Sequence, residues 1–229
     1  MDTLPELARL FCRWIQALAG MGALGLLCHV NLVQIPFFAE TDATTRTAVI
    51  AKLVPRHLNW LQATVLLGTA ALWAELTLVW PKAWSPSSMA LLLAALLATV
   101  VCANVWLVLL PHQRVVVASA RRVLTGGSPD PQAPVHGRRA ALVSRSNLLF
   151  SLPLLLLVTA ADRLSLARLA PAEVQSLLGT FAAVVCAIEL NALLGLTGPG
   201  KRILDSLPAL FACSFLLSCA GLALLWGWP

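Results

Sequence analysis

Apolar residues run through this chain in six long stretches separated by short polar connections. The stretches cover roughly 13–36, 58–80, 89–110, 140–161, 174–196 and 207–228. Each supplies the ~20 residues a helix needs to cross a bilayer's hydrocarbon core. In lipid a helix is favoured because it satisfies its own backbone. The pattern therefore predicts an all-α polytopic membrane protein, a single transmembrane domain over 1–229 with about six helices in a bundle.

The connections refine this picture. Residues 1–12 read as an amphipathic lead-in, and Gly20, Gly22 and Gly25 in span one suit close helix approach. Pro36 and Pro111 are expected to end spans one and three. TTRTAVIAKLVPRHL at 44–58 reads as a short interfacial helix, and HQRVVVASARRVL at 112–124 as a surface helix. TGGSPDPQAPVHG at 125–137 has the composition of a mobile loop. Pro153 predicts a kink in span four. Ser165, or Pro171 with Glu173, offers a start for span five, and TGPGKRILD at 197–205 a tight turn. Span six carries no charge and reads as a scaffold helix facing lipid.

Composition agrees with the pattern. The 229 residues are 59% hydrophobic and 11% charged, against about 25% charged in soluble domains. The net charge of +6 does not point to nucleic acid, because the basic residues flank apolar spans. Connections after spans one, three and five hold eleven Lys and Arg, and the opposite side holds five. By the positive-inside rule those connections are cytoplasmic and both termini lie outside. The start, with Asp2 and Glu6 and no cleavage site, reads as a retained first span rather than a signal peptide. The six cysteines sit in or near apolar spans and read as small packing residues. No C-x-x-C-H motif occurs, which excludes a covalent c-type haem by motif. No G-x-S-x-G, H-E-x-x-H or phosphate loop indicates a nucleophile, a zinc site or a nucleotide.

With this topology, scattered polar residues share one depth. His29, Asn31, Asn104, Arg145, Asn147, Glu189 and Asn191 fall roughly 5–12 Å from the midplane, all in the cytoplasmic half. His57, Asn59, Gln62 and His112 lie nearer that interface. The outer half holds little beyond Gln16, Glu75, Gln175 and hydroxyls. A charge at membrane depth costs at least ~2.5 kcal/mol, so Arg145 and Glu189 should face the interior and pair with each other. The layer reads either as a polar pocket open to the cytoplasm or as interhelical hydrogen bonding worth about 0.6 kcal/mol per contact. The candidate catalytic residues are Arg145, Asn147, Asn104 and Gln113. His29 and His112 are candidate cofactor ligands, since His29 with His57 or His112 could hold haem b. The alternative is a hydrogen-bonded or interfacial histidine.

Two segments carry a family resemblance. ANVWLVLLPHQR at 103–114 and GRRAALVSRSNLLFSLPLLLL at 137–157 resemble motif segments of the bacterial membrane-bound urate oxidase (urate hydroxylase) family. NLVQIPFFAE at 31–40 and KLVPRHLNWLQ at 52–62 resemble its first connection. Asn104, Trp106, Pro111, Gln113, Arg139, Ser144, Arg145, Asn147, Ser151 and Pro153 match the motif positions. The resemblance implies a bacterial inner-membrane domain that oxidises urate to 5-hydroxyisourate and passes electrons to a cytochrome c domain. This sequence contains no such domain, so a separate cytochrome, a quinone or a larger respiratory complex is the expected electron partner. It also departs from the family at Gln16, where a His is usual, and at His112, where an Asn is usual. His57 and Asn59 stand where aliphatic and aromatic residues are usual. The expected function is oxidation of urate or a similar small anion. The alternatives are a non-catalytic accessory subunit of a respiratory or oxidase complex, and a haem b electron carrier.

Overall fold

The computed structural model describes residues 3–81 and 83–226. Among these residues the chain is helical, with no strand. Six helical stretches are long and apolar enough to cross a membrane. The first comprises α1 (Thr3–Cys28), a wide π-helical segment (His29–Gln34) and α2 (Ile35–Glu40). The second comprises α3 (Ala43–Lys52) and α4 (Val54–Leu78). The third comprises α5 (Pro86–Ala103), a second π-helical segment (Asn104–Leu109) and α6 (Leu110–Leu124). Then come α7 (Ala133–Ala160), α8 (Pro171–Leu193), the short α9 (Lys201–Asp205) and α10 (Leu207–Trp226). The start of α1 and the end of α10 share one end of the bundle, called here the terminal end. The connections holding most of the Lys and Arg lie at the other, the loop end.

Pro36 and Pro111 do not end their spans. The first stretch runs on to Glu40 and the third to Leu124. In both cases a six-residue π-helical segment precedes the proline by one residue. A proline has no N–H, and its ring collides with the carbonyl four residues back. A π turn bonds five residues apart, so it shifts the hydrogen-bond frame ahead of the proline and lets the helix continue. The expected surface helix is thus α6, a continuation of span three that packs against α3 and α7. The expected interfacial helix is α3, started by Asp42, whose carboxylate accepts from the Thr44 and Thr45 amides at 2.9 Å each.

The 125–137 stretch is shorter as a loop than its composition suggests. The Gly127 amide donates to the Arg122 carbonyl (2.9 Å). The Asp130 amide donates to Ser119 Oγ (2.9 Å), and α7 begins at Ala133. Gly126, at φ 85°, occupies the left-handed turn that favours glycine. At the start of α8 the expected signal operates: Glu173 accepts from the Ala170 amide at 2.6 Å.

Helix α7 is the centre of the bundle, in contact with α1, α5, α6, α8 and α10. Pro153 lies inside it, so the Leu149 carbonyl four residues earlier has no donor in its own helix. Ser214 Oγ of α10 donates to that carbonyl (2.5 Å). Span six therefore faces lipid on one side only. Phe215, Leu216 and Leu224 are exposed, while Leu210, Ser214, Ser218 and Leu225 form a buried stripe. Ser214→Ala is expected to cost about 1–2 kcal/mol by leaving the carbonyl unpaired. Adding Pro153→Ala should return most of that loss, because residue 153 then supplies its own N–H. Thermal unfolding of the two single variants and the double variant reads the coupling.

Candidate functional site

The loop-end half of the bundle collects the polar layer. In α7, Ser144 and Asn147 stand three residues apart and share one face. Asn31 Nδ2, from the first π segment, donates to Ser144 Oγ (3.0 Å) and to the Leu27 carbonyl (2.8 Å). Asn104 Nδ2, the first residue of the second π segment, donates to Asn147 Oδ1 and to Glu189 Oε1, both at 2.9 Å. Ser146 Oγ also reaches Glu189 Oε1 (3.3 Å). Asn31, Ser146 and Asn147 have no exposed surface at all. Both π segments thus begin at or beside this layer, where such turns are often found at functional sites.

The layer keeps unused hydrogen-bonding capacity. Among the described residues, Asn31 Oδ1, Gln34 Oε1, Asn147 Nδ2 and Glu189 Oε2 are buried without a partner. Native structures rarely leave such groups unmatched, so each points toward a ligand or solvent. Asn147 Nδ2 is a donor and Glu189 Oε2 an acceptor, and Asn104 holds both residues.

The ion pair expected between Arg145 and Glu189 is not formed. Arg145 Nη1 donates instead to the Leu204 carbonyl (3.0 Å) and to Asp205 Oδ1 (3.2 Å). Residues 138 and 145 lie two helical turns apart on one face of α7, so both arginines meet α9. Arg138 clasps Asp205 through Nη1 (2.7 Å) and Nη2 (2.9 Å). Residue 147 points elsewhere, which separates Arg145 from the asparagines. Arg138 holds the Asp205 carboxyl below the usual carboxylate range. Lys201 is buried beside this group, and burial, then Arg138 and Arg139, push its ammonium pKa down. A lowered Asp205 pKa means stabilisation that is complete above about pH 4 and lost as pH falls through the folded value. The carboxylate is 41% exposed, so the contribution is under about 1 kcal/mol. Protection factors of the α9 amides against hydrogen exchange should fall below about pH 4 in the wild type, and Asp205→Asn should show the lower protection already at about pH 6.

Gln113 is half-buried on α6 and joins none of these hydrogen bonds. His112 pairs with His136, Nδ1 to Nδ1 at 2.8 Å. His29 stacks on His57 with ring centroids 5.8 Å apart and planes 30° apart. An axial haem ligand presents a nitrogen in its ring plane to the iron. Of the pairs His29–His57 and His29–His112, the structure brings the first together. His112, engaged by His136, is not paired with His29.

A second cluster lies at the terminal end, where the sequence predicts little polarity beyond Gln16 and Glu75. Glu75, with a side chain only 1% exposed, accepts from Arg13 Nε (2.7 Å) and Arg9 Nε (3.1 Å). Gln16 Nε2 donates to the other carboxylate oxygen of Glu75 (2.9 Å) and to the Ala71 carbonyl (3.2 Å). Asp162 accepts from Arg9 Nη2 (3.2 Å) and from both terminal nitrogens of Arg13. Arg9, Arg13 and Gln16 follow helical spacing opposite an exposed stripe of Leu7, Phe11, Trp14, Leu18 and Met21. That spacing was the available signal.

Comparison with known proteins bears on residues 38–171, which match the family model described as urate oxidase N-terminal. The matched segment carries Asn104, Gln113, Arg145 and Asn147; Gln16, Asn31 and Glu189 lie outside it. No curated protein and no solved structure matches the chain.

Proposed function

The chain belongs to the urate oxidase N-terminal family, and from that membership we propose that it oxidises urate, or a closely similar purine, at the Asn104–Asn147–Glu189 cluster. One observation carries the reading. A single amide nitrogen, Asn104 Nδ2, ties Asn147 and Glu189 together, and each keeps one buried group unpaired. A donor beside an acceptor complements the alternating carbonyl and N–H edge of an oxidised purine. A ligand lacking that edge would leave both groups unmatched, which is a strong basis for selection.

In the reaction, urate and water become 5-hydroxyisourate, two protons and two electrons. A new carbon–oxygen bond forms from water. Glu189 Oε2 is the group suited to accept a ring N–H proton as the electrons leave. The amide of Asn147 holds a purine carbonyl as charge shifts toward it. The electrons pass to a separate acceptor, for which a cytochrome is the choice by family resemblance. The protein sits in the bacterial inner membrane with its loop end in the cytoplasm. The Lys and Arg count supports that orientation, with eleven at the loop end against five at the terminal end.

The test uses the full chain in lipid nanodiscs, without oxygen, with ferricyanide or cytochrome c as acceptor. Urate-dependent reduction, matched by loss of urate absorbance, is expected. No reduction of either acceptor overturns the reading.

A further inference from the structure

A cavity of about 410 Å³ lies between α1, α4, α5 and α7, away from the asparagine cluster. Its size falls within the ~300–1,000 Å³ of small-molecule sites. Its walls are apolar, including Leu72, Val101 and Leu154. Met21 and Leu155, 65% and 51% exposed, line it on the outer face of the bundle, so the opening is toward lipid. Gly20 also lines it, and a Cβ there would meet nothing within 4 Å.

One end of the cavity is polar in a specific sense. Gln16 is 8% exposed, and its amide nitrogen faces two acceptors, Glu75 Oε2 and the Ala71 carbonyl. Rotating the amide would set oxygen against both, so the orientation is fixed. Gln16 Oε1 is therefore left buried without a partner, as an acceptor. Glu75 and Asp162, beside it, are acceptors as well, and both guanidinium groups nearby are engaged. This end calls for a neutral hydroxyl donor. A phospholipid phosphate would add an anion to a cluster in which two arginines are already matched by two carboxylates.

The occupant must be apolar, reach the site through the bilayer, and carry a hydroxyl on its head. We propose that this cavity binds a membrane quinone in its reduced, quinol form, with a quinol O–H donating to Gln16 Oε1. The far end of the cavity reaches Ser151, whose Oγ donates to the Asn147 carbonyl, and Leu27, whose carbonyl accepts from Asn31. The quinol site and the asparagine cluster are thus neighbours along α1 and α7. Quinol binding does not rest on the function proposed above.

Binding is tested on the full chain in nanodiscs with decylbenzoquinol as the probe and no urate present, by titration calorimetry. The wild type is expected to bind saturably. Gln16→Leu should weaken binding about tenfold by leaving the hydroxyl unmatched. Leu155→Trp, which narrows the mouth and touches none of the polar groups, should abolish it. The thermal unfolding transition of each variant confirms that it is folded. Unchanged affinity in either folded variant overturns the proposal, as does a co-purified phospholipid that the quinol cannot displace.

Discussion

Glu75→Leu is expected to lower the thermal unfolding midpoint more than any other single change at the terminal end, at a cost of about 3 kcal/mol. The carboxylate is 1% exposed and receives three donors, from Arg9, Arg13 and Gln16. Leucine fits the apolar surroundings but leaves those donors without their shared acceptor. The two arginines are 41% and 34% exposed and keep Asp162, which holds the loss at the lower end of the range for broken buried pairs. Asp162→Asn provides the contrast. Its carboxylate is 44% exposed, and its loss should cost no more than about 1 kcal/mol. Equal shifts in the two variants would show that burial does not set the strength of this network.

Asn104→Ala should have the largest effect on the proposed reaction. Its amide nitrogen is the one group that holds both Asn147 and Glu189. Two hydrogen bonds disappear, one of them to a carboxylate, and the donor–acceptor pair loses its alignment. A drop in kcat/KM for urate on the order of 100-fold follows. Gln113→Ala, at a family motif position outside these hydrogen bonds, should stay within a fewfold of the wild type. Steady-state kinetics of both variants in nanodiscs make the comparison. A larger loss at Gln113 than at Asn104 would move the site toward α6.

The six helices could be read from the sequence because lipid leaves a chain few alternatives, and runs of ~20 apolar residues are conspicuous. Their ends could not. Pro36 and Pro111 are helix stops by ordinary rules, and only the π turns ahead of them let the backbone continue. The asparagine layer was accessible because depth along a helix follows directly from residue count. The direction around the helix does not follow so simply, so depth predicts Glu189 as the partner of Arg145 where the structure has Asp205. Residues 138 and 145 share a face, and Asp205 lies on the short α9, where the sequence suggested only a turn. At the terminal end, Arg9 and Arg13 enter the sequence pattern only as two of the five basic residues on the outer side. Their spacing with Gln16, opposite the Leu7–Phe11–Trp14 stripe, is the feature of the sequence that points them inward.

The two wide turns have a consequence for how the chain tolerates change in length. Each acts as one surplus residue threaded into an otherwise regular helix, and one residue is about 100° of rotation. The first lies on the same shaft that carries Gln16 near one end and Asn31 near the other. It therefore sets the angular phase between α1 and everything beyond Gln34, as the second does between α5 and α6. Deleting one residue within 29–34 or 104–109 would regularise the hydrogen bonding and at the same time swing one half of the span away from its neighbours. In these two segments the count of residues is under tighter constraint than the identity of most of them.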